Sequence, residues 1–228
     1  MDIGAMLYGV SIWALPLLFA ITLHEAAHGY MAERLGDDTA RLQGRISANP
    51  LRHIDPFGTV LLPGLLLLAG SPVMFGYAKP VPVNFARLRN PRRDMVWVAA
   101  AGPLTNIGIA VTSALLFYVA GLLPPVASEW MAHNLGNSIL INLVLAVFNM
   151  FPLPPLDGGR VAVGLLPRGP AMALARLERH GLFILIGLLF LLPWFGRLIG
   201  LELNFFAWFV LPPVSFLFDV ITTVTGLG

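Results

Sequence analysis

Apolar runs dominate the chain, and the polar breaks between them are too short to hold a soluble domain. Six runs stand out. Residues 3–35 form the first, uncharged from Ile3 to His24. Residues 57–69 are a short run holding Pro63 and Gly64. Residues 95–123 carry no charge, and residues 135–152 end in a proline cluster. Residues 181–198 are interrupted by Pro193, and residues 205–221 contain Pro212 and Pro213. A membrane-crossing helix needs roughly 20 apolar residues, so five runs are long enough and 57–69 is not. The pattern predicts an all-α polytopic membrane protein. It has about five full transmembrane helices, plus a re-entrant or short sixth segment, within a single domain over residues 1–228. Small extended or β elements are expected on the cytoplasmic side. Residues 41–47 alternate weakly, and Pro80 and Pro82 bar a helix from residues 79–84, leaving an edge strand or a loop.

Composition sharpens this class. Of 228 residues, 57% are hydrophobic and 11% charged, and the mean hydropathy is +0.79. A soluble domain carries roughly 25% charged residues, so an ordinary cytosolic fold and a disordered chain are both excluded. The chain has no cysteine, which removes disulfides and thiolate metal sites. Nineteen prolines and 23 glycines suit membrane helices, where such breaks are tolerated. The net charge of +2 gives nucleic-acid binding no support.

Charge placement predicts orientation. Nine basic residues (Arg34, Arg41, Arg45, Arg52, Lys79, Arg87, Arg89, Arg92 and Arg93) lie between the first and third runs. Arg160, Arg168, Arg176 and Arg179 follow the fourth, and Arg197 stands apart. If residues 57–69 do not cross, thirteen of fourteen basic residues share one face. The positive-inside rule makes that face cytoplasmic and the N-terminus external. The first run has no basic residue before it and no small-residue cleavage site after it, so it is expected to stay as a helix rather than be removed as a signal peptide.

The sharpest chemical signal is His24-Glu25-Ala26-Ala27-His28. Residues i and i+4 share a helix face, so both imidazoles can converge on one zinc ion. Glu25 can then reach a water at the open coordination position as general base. Two histidines and a glutamate at the inner end of a membrane helix are costly to bury without a purpose. His28 lies six residues before Arg34, about 9 Å deeper at the helical rise. A catalytic zinc needs a third ligand, and Asp157 is the best candidate. It follows the prolines at 152, 154 and 155 and precedes Gly158 and Gly159, which are expected to permit an unusual backbone path. The competing reading is an ordinary Asp-Gly turn. With residues 57–69 not crossing, the ends of the first and fourth runs meet on one face, so charge and ligand convergence give the same topology.

Other polar residues at membrane depth carry weaker readings. Asn149 could bond a substrate backbone or an oxyanion, or serve as an interhelical packing amide. Asn106, in Gly102-Pro103-Leu104-Thr105-Asn106, reads first as part of a close helix contact, with substrate positioning as its functional alternative. His53 and Asp55 read as a structural turn rather than a gate. His133 and His180 read as interface or loop residues, Arg160 as a headgroup anchor, and Asp219 as a helix-end residue facing water at the inner end of the last run.

Taken together, these elements resemble the site-2 protease family of intramembrane zinc metalloproteases. The resemblance rests on His24-Glu25-x-x-His28, Gly102-Pro103-x-x-Asn106, and Asn149-x-x-Pro152 leading to Leu156-Asp157-Gly158, across residues 24 to 158. The stretches from Asn49 to Pro63 and from Gly76 to Asn84, with Arg92-Arg93-Asp94, are similar to its compact prokaryotic branch, without room for a PDZ or CBS domain. The resemblance implies one Zn2+ per chain held by His24, His28 and Asp157, with Glu25 as catalytic base. It implies hydrolysis of a transmembrane protein or peptide substrate in the plasma membrane, with the site opening toward the cytoplasm. Val81 and Val83 could offer backbone groups to an extended substrate. The alternatives are a metal transporter or sensor using the same histidines, and an inactive scaffold that binds membrane helices.

Overall fold

The computed structural model describes residues 2–61, 65 and 79–227, the side chains of Thr59 and Val60 excepted. Five helices among them are long and apolar enough to cross a membrane: α1 (Ile3–Arg34), α3 (Pro91–Ala120), α4 (Pro125–Asn149), α7 (Glu178–Leu198) and α8 (Phe205–Thr225). Shorter helices are α2 (Thr39–Leu42), α5 (Asp157–Leu165) and α6 (Arg168–Arg176). The long helices leave large apolar side chains exposed, among them Ile3, Trp13, Leu115, Phe183 and Phe216. Apolar faces of that extent need lipid rather than water around them. The chain is therefore a multi-pass, all-α membrane protein.

The helices α1, α3 and α4 pack against one another and form the centre of the molecule. Small residues make the close contacts: Ala20, Ala32, Ala99, Ala110, Ala114 and Ala146 are all buried. In a membrane, where burial of apolar surface gives helices little reason to associate, close backbone approach supplies the packing energy instead. At the end bearing the N-terminus, polar side chains join α1 to α4. Tyr8 Oη and His133 Nδ1 are 2.7 Å apart, Trp130 Nε1 donates to Ser11 Oγ (3.0 Å), and Asn137 Nδ2 donates to the Ile12 carbonyl (2.9 Å). These residues lie in the early turns of α4, which begins at Pro125, ten residues before the apolar run predicted.

At the opposite end the chain folds back tightly. The Arg89 N–H donates to the Leu35 carbonyl (3.0 Å), so the end of α1 and the start of the approach to α3 lie side by side. Within the intervening excursion the Lys79 N–H donates to the His53 carbonyl (2.9 Å), and buried Arg45 donates to the carbonyl of Lys79 (2.6 Å). Asp55 caps the following turn by accepting from the N–H groups of Phe57 and Gly58, which is a structural turn as expected. Segment 57–69 lies outside the described residues beyond Leu61, save Leu65.

Two expectations change. Among the described residues no strand forms. Residues 39–42 close a helical turn (α2), and residues 79–84 are a loop, because prolines at 80 and 82 remove alternate ladder donors. The last run is also oriented differently from the expectation for Asp219. Phe205 stacks edge-on against Phe151, just beyond α4, with centroids 4.8 Å apart. At the other end of α8 the Thr225 carbonyl accepts from Tyr118, near the far end of α3 (2.6 Å). Asp219 therefore lies toward the end of the bundle away from the Phe151 turn.

The 79–85 loop is pinned to α1 by Asp37, which is fully buried. One of its oxygens accepts from Thr39, and the other accepts from the Asn84 N–H (2.6 Å). Burial works to raise its pKa, but the bonds from Thr39 and Asn84 outweigh it and hold the carboxyl below its ordinary value. A depressed pKa makes the tether's stabilisation complete above the ordinary carboxylate range and lost as the pH falls through the depressed value. Asp37→Ala should weaken the pinning by roughly 1–3 kcal/mol, the scale of hydrogen bonds to a charged group. Hydrogen exchange should then quicken at Asn84–Leu88 while α3 and α4 stay protected.

Candidate metal centre

His24 and His28 sit one turn apart toward the C-terminal end of α1, both at least 90% buried. Asp157 arrives from elsewhere in the chain. After α4 ends at Asn149, residues 150–156 turn sharply, and Asp157 is the first residue of α5. There its carboxylate also faces the positive end of that helix. Gly158 and Gly159 have ordinary helical backbones, not the unusual path expected of them. Their role is clearance: a Cβ at Gly158 would strike the Met150 carbonyl, and one at Gly159 would strike the Pro154 backbone. The missing side chains let the turn press against α5 and set the depth of Asp157.

The three side chains converge. His24 Nε2 and His28 Nε2 are 3.0 Å apart, and Asp157 Oδ2 lies 3.2 Å from the first and 3.4 Å from the second. The opposite ring nitrogens fix the tautomers. His28 Nδ1 is 2.7 Å from the Val98 carbonyl, an acceptor only, so Nδ1 carries the hydrogen. His24 Nδ1 is 2.5 Å from Asn106 Oδ1. The other end of that amide, Nδ2, donates to Asn142 Oδ1 (2.7 Å) and the Ala20 carbonyl (3.3 Å), so Oδ1 is the face His24 meets. Each imidazole therefore turns Nε2, the nitrogen left for ligation, toward a carboxylate oxygen that is buried and accepts no hydrogen bond. One shared proton could relieve one of the three contacts, whereas a cation relieves all three. For ligands 2.0–2.1 Å from a tetrahedral zinc, edges of about 3.3 Å are expected, and the observed separations bracket that value. These are the atoms, all within 4.8 Å of one another, that can hold a metal ion.

Gly102 forms the wall of this centre. A Cβ there would lie 2.5 Å from His28 Nε2 and 2.6 Å from His24 Nε2. Next to it, Pro103 withholds the N–H that the Ala99 carbonyl would otherwise receive in the helix. The centre opens into a cleft of about 240 Å3 lined by Glu25, Val81, Ala99, Asn149, Asp157 and Arg160, among others. Glu25 Oε2 accepts from the Val81 N–H (2.7 Å), so that donor is taken and one carboxylate oxygen is fixed.

Asn106 is fully buried behind His24 and bonds across to α1 and α4, in keeping with the helix contact that is its first reading. Arg160, read from the sequence as a headgroup anchor, lines the cleft. Its guanidinium lies over the Phe85 ring (5.4 Å) and 3.5 Å from Glu178 Oε1. Asn149 does line the cleft, with Nδ2 donating to the Leu145 carbonyl (3.0 Å). The Val98 carbonyl has no signature in a sequence. Gly102 had one, its place in a Gly-Pro pair one turn before Asn106, but the pair reads equally as helix packing.

No protein-family model matches the chain, and no solved structure matches it. Among characterised sequences it is similar to "Putative zinc metalloprotease YwhC" of Bacillus subtilis (strain 168), with 40% identity over 184 residues covering 78% of each chain. Rip2 of Mycobacterium tuberculosis (strain ATCC 25618 / H37Rv), which carries the same description, is 30% identical over 176 residues, 77% of this chain and 65% of that one. MJ0611 of Methanocaldococcus jannaschii, again so described, is 39% identical over 64 residues, 28% of this chain and 31% of that one.

Gly102→Ala separates metal binding from folding. Alanine favours helix over glycine by about 1 kcal/mol, which offsets part of the roughly 1–3 kcal/mol cost of overpacking, so helicity should hold and thermal stability should fall only modestly. The added methyl should displace the two imidazoles, and zinc retained after purification, measured by atomic absorption, should fall well below the wild-type content.

Proposed function

We propose, from the premise that this chain belongs to the family of zinc metalloproteases that includes YwhC of Bacillus subtilis, that it is an intramembrane protease of the site-2 type. In this reading it hydrolyses peptide bonds within or beside the transmembrane segments of membrane-protein substrates. The observation that carries the proposal is the buried convergence of His24, His28 and Asp157 beside a cleft at the end of a membrane-type helix. These three side chains hold one zinc ion. Zinc bound there supplies Lewis acidity to the scissile carbonyl and makes a water molecule acidic enough to attack at neutral pH.

The chain's own groups do the rest. Glu25 takes the proton of the attacking water on the oxygen left free by Val81 and delivers it to the departing amine. Asn149 keeps one amide hydrogen and its Oδ1 for the substrate backbone. The substrate must enter extended, since a helix hides its carbonyls in its own hydrogen bonds. The narrow cleft admits a single extended strand beside the 79–85 loop. The basic residues gather at the site's end of the bundle, where Arg89 meets Leu35 and Arg92 holds the carbonyls of Gly164 and Leu166. The positive-inside rule then turns the cleft toward the cytoplasm and the N-terminus outward. Relatives from bacteria and an archaeon favour a prokaryotic plasma membrane. Their names favour hydrolysis over the transporter, sensor and scaffold alternatives.

Glu25→Gln tests the assignment. The variant should keep its zinc and lose about 10²–10⁴-fold in cleavage of a membrane-embedded substrate reconstituted in liposomes, the range for a general base. Turnover at the wild-type rate refutes the role of Glu25. Absence of zinc from the purified wild type refutes the metal centre.

A further inference from the structure

Beyond the cleft, a line of buried polar groups leads away from His24 into the apolar middle of the bundle. Asn106 and Asn142 are both fully buried. Asn106 Nδ2 donates to Asn142 Oδ1 (2.7 Å), and Asn142 Nδ2 donates to the backbone carbonyl of Ser138 (2.8 Å). Ser138 Oγ in turn pairs with Ser113 Oγ (2.8 Å). Polar side chains at such a depth are costly unless they are paired and used.

The direction of these bonds matters more than their number. An amide presents an oxygen on one side and an NH2 on the other, in nearly the same shape, so either end of Asn106 fits against His24. With oxygen forward, His24 carries its hydrogen on Nδ1 and turns a bare Nε2 toward Asp157. With NH2 forward, the hydrogen moves to Nε2 and blocks ligation there. A backbone carbonyl cannot reverse its polarity. The Ser138 carbonyl demands the NH2 end of Asn142, which leaves Asn142 Oδ1 facing Asn106 and demands the NH2 end of that amide. The Ala20 carbonyl makes the same demand from a longer 3.3 Å.

We propose that Asn142 is a positioning residue for the metal: through Asn106 it fixes the tautomer of His24 and so sets the affinity of the centre. The proposal rests on the zinc-protease reading and assigns a role to a residue that touches neither metal nor substrate. It also explains why two asparagines are spent in the interior of α3 and α4.

The experiment compares Asn142→Leu with Asn142→Asp. Leucine fills the space and offers no acceptor. A neutral aspartic acid, the form favoured at that depth, keeps the arrangement: its C=O accepts from Asn106 and its O–H donates to Ser138. Zinc affinity, measured by competition with a chromophoric chelator, should fall about 10–100-fold in the leucine variant, the usual cost of losing an outer partner of a metal-bound histidine. It should stay close to wild type in the aspartate variant. The visible spectrum of the cobalt-loaded proteins should be tetrahedral in wild type and Asn142→Asp and weakened in Asn142→Leu. Equal affinity in a folded leucine variant, or equal loss in both, overturns the proposal.

Should the leucine variant not fold, nitrogen-15 spectra of histidine-labelled, metal-free wild type decide instead. His24 protonated on Nδ1 supports the proposal, and protonation on Nε2 overturns it. Failure of the protease reading would show separately, as wild-type protein that binds no zinc.

Discussion

Two imidazole nitrogens and a carboxylate oxygen meet at one buried point, and the packing around them keeps them there. They are held because each is clamped from behind: His28 by the Val98 carbonyl, His24 by Asn106, and Asp157 by the glycine-packed turn before α5. The clamps come from α3 and from the chain beyond α4, so the centre forms only when three separate stretches are in their native places. A site assembled this way is preorganised: a cation bound there would find its ligands already desolvated and aimed.

The architecture around it divides into a rigid part and a loop part. Alanine-lined contacts among α1, α3 and α4 bring backbones close and fix the relative heights of His24, Val98 and Asn106. The cleft is walled on its other side by the 79–85 loop, which is held by hydrogen bonds from Arg45 and to Asp37 and Glu25. Glu25 thus belongs to both parts: its backbone is in the rigid helix, and its carboxylate is tied to the loop. Chemistry and access meet at that one side chain.

Much of this was legible in the chain. The histidine pair announced itself by its i, i+4 spacing, and Asp157 by the need for topology to return the chain to the same face. The membrane class followed from composition and run length alone. What escaped was whatever depends on how one helix lies against another. Asn106 could be placed at membrane depth, but its meeting with His24 depends on the crossing of α1 and α3, which no periodicity encodes. Gly158 and Gly159 suggested backbone freedom, whereas the structure uses their smallness. The early turns of α4 were missed because Glu129, His133 and Asn134 interrupt the apolar run, and those polar residues sit beside the contacts that join α4 to α1. The short helices α5 and α6 carry Arg160, Arg168 and Arg176, so neither stands out as an apolar run.

The hydrogen bond between Arg89 and Leu35 closes the excursion of residues 36–88 upon itself, like the neck of a purse. Material can be added to or taken from the bag without moving the drawstring, since the bundle threads on from the same spot either way. What changes in the bag then reaches the histidine pair chiefly through Glu25, whose carboxylate the Val81 N–H holds.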